Sequence, residues 1–91
     1  MIQPYTDKTK LNIKKIQGQV RLIEKMVDEK RYCIDIAQQV NAAIGLLKKI
    51  NDLILENHLL TCGADKLNSK KQEERKEFTK ELLKVFSLTN R

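Results

Sequence analysis

Residues 32–62 read YCIDIAQQVNAAIGLLKKINDLILENHLLTC, a stretch with no proline and an almost unbroken helical pattern. Cys33 stands at one end of it, and His58 and Cys62 stand at the other. These are the only cysteines and the only histidine of the chain. At a rise of about 1.5 Å per residue, a straight helix holds Cys33 and Cys62 roughly 43 Å apart. One straight chain therefore cannot bring the three donors to one site. Two such helices packed antiparallel bring Cys33 of one chain to His58 and Cys62 of the other, twice by symmetry. The alternative is a break near Gly45 that folds the stretch into a hairpin with a site inside one chain. AAIGLLKKI offers no turn residue for that beyond the single glycine.

His58 and Cys62 are four residues apart, the spacing that puts two side chains on one helical face. The bland alternative is a packed histidine beside a buried small thiol. Two thiolates and an imidazole suit a soft ion. Three such donors match trigonal Cu(I), whereas zinc would require a fourth.

The flanking sequence predicts further helices. From Thr6 or Asp7 to about Asp28, Ile13, Ile16, Val20, Ile23 and Val27 recur at heptad spacing and predict a seam facing a partner helix. Asp28 to Arg31 is a charged connector without a strong turn dipeptide. The second helix runs to about Cys62, with Gly63 as its stop. Ile36, Val40, Ala43, Leu47, Ile50 and Ile54 form one seam on it, widened by Ile34, Ala37, Ile44, Leu55, Leu59 and Leu60. A helix apolar over so much of its circumference is buried on several sides, and a second copy of the chain is expected to cover it. Ala64 to Asn68 reads as a loop. Ser69 with Gln72 matches a capping box for a third helix, whose inner face is Phe78, Leu82, Val85 and Phe86. Residues 1–5 read as a flexible arm, and Thr89 to Arg91 as a fraying end. The expectation is one all-α domain over residues 1–91, a three-helix protomer with a long second helix.

The formal net charge of +6 leaves nucleic acid, an anionic surface or no specific partner open. Lys10, Lys14, Arg21 and Lys25 fall within a sector of roughly 60° on the first helix. That is either a solvated lysine face or a phosphate-binding stripe. No Cys–His dyad, Gly-rich phosphate loop or paired-carboxylate cleft points to catalysis, so no enzyme and no small-molecule substrate are expected. MIQPYTDKTK has no apolar signal region and no apolar run is long enough to span a bilayer, which predicts a cytoplasmic protein with reduced thiols and no membrane partner.

IQGQVRLIEKM, RYC with Asp35 two places on, QQVNAA and ENHLLTC together resemble the copper-sensing repressors of the CsoR/RcnR family, closely from about Leu11 to Cys62 and loosely beyond. The resemblance implies an antiparallel dimer and a dimer-of-dimers tetramer. It implies an apo form that binds operator DNA and a Cu(I) form that releases it. The implied metal ligands are Cys33 from one chain with His58 and Cys62 from another. Tyr32 and Glu81 would support them from behind. The implied DNA contacts add Lys15 and Lys49 to Lys10, Lys14 and Arg21. Asn12 stands where relatives often carry arginine. Two rival functions keep the same residues: a thiol- or persulfide-reactive repressor, and a copper-buffering helical protein without a DNA role.

Overall fold

Pro4 precedes the first helix, α1, which runs Tyr5–Asp28. In the computed structural model, residues 1–86 are described, with the backbone alone for Cys62 and Leu67. The fraying end read at Thr89 to Arg91 lies outside the described residues. Ahead of α1, the Ile2 backbone N–H donates to Asn57 Oδ1 at 2.9 Å, and Thr6 Oγ1 donates to the Met1 carbonyl at 2.9 Å.

α1 ends in a Schellman motif. The Arg31 N–H reaches the Met26 carbonyl at 2.9 Å and the Lys30 N–H reaches the Val27 carbonyl at 3.1 Å. Lys30 takes the left-handed position, with φ 56°. A lysine there bears a steric cost of about 1–2 kcal/mol that glycine avoids, while glycine loses about 0.5–1 kcal/mol more in backbone entropy on folding. Lys30→Gly is therefore expected to stabilise the fold by about 0.5–1 kcal/mol. Urea unfolding checks this, and a lowered midpoint would contradict it.

The chain then reverses into α2, Cys33–Leu60, which packs antiparallel against α1. The contact seam repeats every three and four residues on both helices. On α1 it holds Thr9, Asn12, Ile16, Gln19, Ile23 and Met26; on α2 it holds Ile36, Gln39, Ala43, Leu46, Ile50, Leu53 and Asn57. This differs from the seam expected on α1. Ile16 and Ile23 belong to it, but Ile13, Val20 and Val27 remain exposed on the flank. The apolar sector of α1 is wider than one contact, and only one edge of it meets α2.

The second helix also ends earlier than expected. α2 stops at Leu60, and Thr61 leaves the helical conformation at φ −122°, ψ −101°. Thr61 Oγ1 donates to the Asn57 carbonyl at 2.7 Å, which satisfies one of the carbonyls left open at the helix end. The segment expected as a loop is a short helix, α3, Cys62–Leu67. The last helix, α4, runs Gln72–Phe86 and docks mainly on α3. The described protomer is thus all-helical with four helices rather than three. Ser69 acts near the start of α4, but its hydroxyl accepts from the Lys71 N–H and meets Glu74 instead of pairing with Gln72.

The molecule measures 58 × 28 × 12 Å, about one helix thick in its shortest direction. Such a slab cannot enclose a large core. The buried apolar side chains are Met26, Ala43, Leu53 and Phe78, while Val40, Ile44, Leu47 and Ile54 stay exposed along α2.

Candidate metal centre

Cys33 is the first residue of α2, and its free thiol is exposed. Tyr32, at the N-cap, is also exposed, and its carbonyl accepts the Ile36 N–H at 3.2 Å. His58 lies near the other end of the same helix. α2 is continuous through Gly45, so the hairpin alternative does not occur. The twenty-five-residue separation places Cys33 and His58 roughly 37 Å apart along the axis. Among the described residues of one protomer, no three Cys, His, Asp or Glu side chains gather to hold a metal ion.

The donors nevertheless share a face. At about 100° per residue, Cys33, Val40, Ile44, Leu47, Ile54 and His58 fall within a sector of roughly 80° on α2. All four aliphatic members of that sector are exposed. The contact seam with α1 lies on the adjoining side of the helix. α2 therefore carries two apolar stripes, one used within the protomer and one left open with a soft donor at each end.

Cys62 opens α3 instead of extending α2. Its expected helical spacing of four from His58 is interrupted by the turn at Thr61, whose N–H bonds the His58 carbonyl at 3.3 Å. The Cys62 side chain lies outside the described residues.

His58 is half-buried, its imidazole 5.5 Å from the Phe78 ring and tilted 41° to it. Ile54, Asn57, His58, Glu81, Leu82 and Val85 help line a cleft of about 230 Å³ between α2 and α4. Glu81 thus faces the same cleft as His58, whereas Tyr32 sits at the far end of α2. Sequence reasoning missed Phe78 and Gly63 as neighbours of the histidine. Phe78 was legible as an inner-face residue of its helix, but nothing in the pattern said which element it would meet.

The basic residues separate into two groups, all exposed. Lys10, Lys14 and Arg21 share one side of α1. Lys15 is about 120° around that helix from them. It joins Lys8 and Lys49 along a groove of about 400 Å³ between α1 and α2. Asn12 also lines this groove, and its Nδ2 donates to the Lys8 carbonyl at 2.9 Å. No described helix is long and apolar enough to cross a membrane.

The profile of the family described as "Metal-sensitive transcriptional repressor" matches residues 5–87. The copper-sensing transcriptional repressor CsoR of Bacillus subtilis is 40% identical over 74 residues, covering 81% of this chain and 70% of that protein. The copper-sensing transcriptional repressor RicR of Mycobacterium tuberculosis is 36% identical over 50 residues, 55% of this chain and 52% of its own length. CsoR of Mycobacterium ulcerans is 35% identical over 65 residues, 68% of this chain and 56% of its own. The chain thus spans about half the length of these mycobacterial relatives. No solved structure matches at a comparable level. With the family profile covering all four helices, the chain belongs to the metal-sensitive transcriptional repressors.

Proposed function

We propose that this repressor senses Cu(I) in the cytoplasm, binding operator DNA without the metal and releasing it when Cu(I) is bound. The observation that carries the reading is the open stripe of α2, which ends in Cys33 on one side and His58 on the other. An antiparallel pair formed over this stripe buries Val40, Ile44, Leu47 and Ile54. It also sets Cys33 of one chain beside His58 and Cys62 of the second. Two thiolates and one imidazole form a donor set matched to a soft, low-coordinate ion, and bound Cu(I) would supply that centre. The relatives' names, each a copper-sensing repressor, support this choice of metal. Pairing of two such dimers into a tetramer follows the family resemblance.

The chain's own residues divide the work. Cys33, His58 and Cys62 hold the ion. Glu81 lines the same cleft as His58 from α4, and Tyr32 stands next to Cys33. Metal and DNA oppose one another through two conformations of the same assembly, so each lowers affinity for the other by the same factor. Lys10, Lys14, Lys15, Arg21 and Lys49 contact phosphate. Recognition then reads DNA backbone and shape through these exposed basic side chains.

Anaerobic titration of the reduced protein with Cu(I), followed together with release of operator DNA, tests the reading. One copper per chain with release at the same equivalence supports it. Copper uptake without release points to a buffering protein, and covalent dimers under mild oxidant or persulfide point to a thiol-reactive sensor. Replacing Lys14 and Arg21 together by glutamine is expected to flatten the slope of log affinity against log salt by about two for each protomer that contacts the DNA. An unchanged slope removes that stripe from the DNA face.

A further inference from the structure

Phe78 is 1% exposed, the one large side chain in the described residues that is fully buried. It is the anchor of α4, and it sits in an unusual place: the corner where α2 gives way to α3. Its ring lies 5.5 Å from the His58 imidazole. Gly63, the second residue of α3, makes room for it. A Cβ on Gly63 would lie 2.7 Å from Phe78 Cζ and 2.9 Å from the His58 carbonyl oxygen. No glycine of the chain has positive φ, so Gly63 is needed here for space and not for backbone freedom.

We propose that Phe78 is the positioning residue for the His58 imidazole and that Gly63 is what lets the phenyl ring take that post. The inference rests on reading His58 as a metal ligand. The phenyl ring closes one side of the space open to the imidazole. Rotation of the imidazole toward α4 then requires the phenyl ring to leave its buried seat beside Gly63. Glu81 is three residues further along α4, so it lies on the same side of that helix and lines the cleft with His58. One displacement of α4 therefore changes both the ring that orients the histidine and the carboxylate that faces it. The proposed copper ligand and the last helix become one mechanical unit through the His58–Phe78 ring contact.

His58 is the only histidine, so its ring resonances are identified without ambiguity in proton–carbon spectra of the intact apo protein. Cross-relaxation between the His58 and Phe78 ring protons is expected in the parent. Phe78→Leu keeps an apolar filling but removes the flat ring. It is expected to move the His58 resonances toward those of a free imidazole and to weaken Cu(I) binding about tenfold, the lower end for loss of a group that orients a ligand. Affinity of the apo form for DNA should stay within about twofold, since no proposed DNA contact lies near Phe78. Gly63→Ala is expected to displace the same resonances by pushing the phenyl ring aside, and it serves as the second variant if Phe78→Leu folds poorly. Unmoved His58 resonances in a folded variant overturn the proposal, as does a Phe78→Leu protein that binds Cu(I) as tightly as the parent. A parent that binds no Cu(I) removes the metal reading instead. The apo spectra separate that case, because they need no metal.

Discussion

Adding Cu(I) to a Cys33→Ala protein is expected to leave operator DNA bound. The thiol of Cys33 is exposed and stands roughly 37 Å from His58 on the same continuous helix, so its removal perturbs neither the α1–α2 seam nor the anchor of α4. What it removes is one of three proposed donors at each site. Losing a group that only orients a ligand costs about 10–100-fold in metal affinity, so losing a ligand should cost more than about a hundredfold. Fluorescence anisotropy of labelled DNA with and without Cu(I) reads the result. Mixing variants separates a shared site from one inside a single chain. A dimer of one Cys33→Ala chain and one His58→Ala chain keeps one complete site if donors come from two chains, and none if they come from one. Half the parent copper uptake in the mixed dimer is the expected outcome. No uptake there, with full uptake in the parent, would place the site inside a protomer and refute the antiparallel arrangement.

The helices of this chain were legible because their periodicity is strong, but the period did not say which face meets which partner. On α1 three of the five expected seam positions, Ile13, Val20 and Val27, remain open. The face that packs on α2 includes Thr9, Asn12 and Gln19. On α2 the same face includes Gln39 and Asn57, and Asn57 is occupied by the Ile2 N–H. Polar side chains within the hairpin made its seam look like a surface, while aliphatic side chains left open looked like its seam. The proposed donors were picked out as three rare residues at the ends of one expected helix, and the chain instead sets Cys62 at the start of α3. Their local setting was not legible. CGADKL is too short to show a helical period, and Gly63 read as a stop because glycine commonly ends helices. Only the close approach of Phe78 reveals why glycine is needed there. Lys30 hid the end of α1 for the opposite reason, being a lysine where a glycine would have announced the turn.

The open stripe leads to the second large effect. Leu47→Glu is expected to abolish Cu(I) binding although Leu47 is fourteen residues from Cys33 and eleven from His58, roughly 21 and 16 Å along the helix. Leu47 is 52% exposed in the protomer and lies near the middle of the stripe. In an antiparallel pair related by a twofold axis, each copy places this residue in the shared contact, so the substitution acts twice. Burying a carboxylate without a partner costs several kcal/mol, and about 1.4 kcal/mol is a tenfold change in association. Two such charges should raise the dimer dissociation constant by more than about a thousandfold. The separated protomer keeps Met26, Ala43, Leu53 and Phe78 as its buried apolar core, so helicity should persist at low temperature while thermal stability falls. Analytical ultracentrifugation and anaerobic copper titration on the same sample give the decisive comparison. A monomer that has lost copper binding ties the metal site to the contact that completes it. A monomer that binds Cu(I) with parent affinity would mean that His58 and Cys62 find their remaining donor within their own chain, and the stripe would then serve assembly alone.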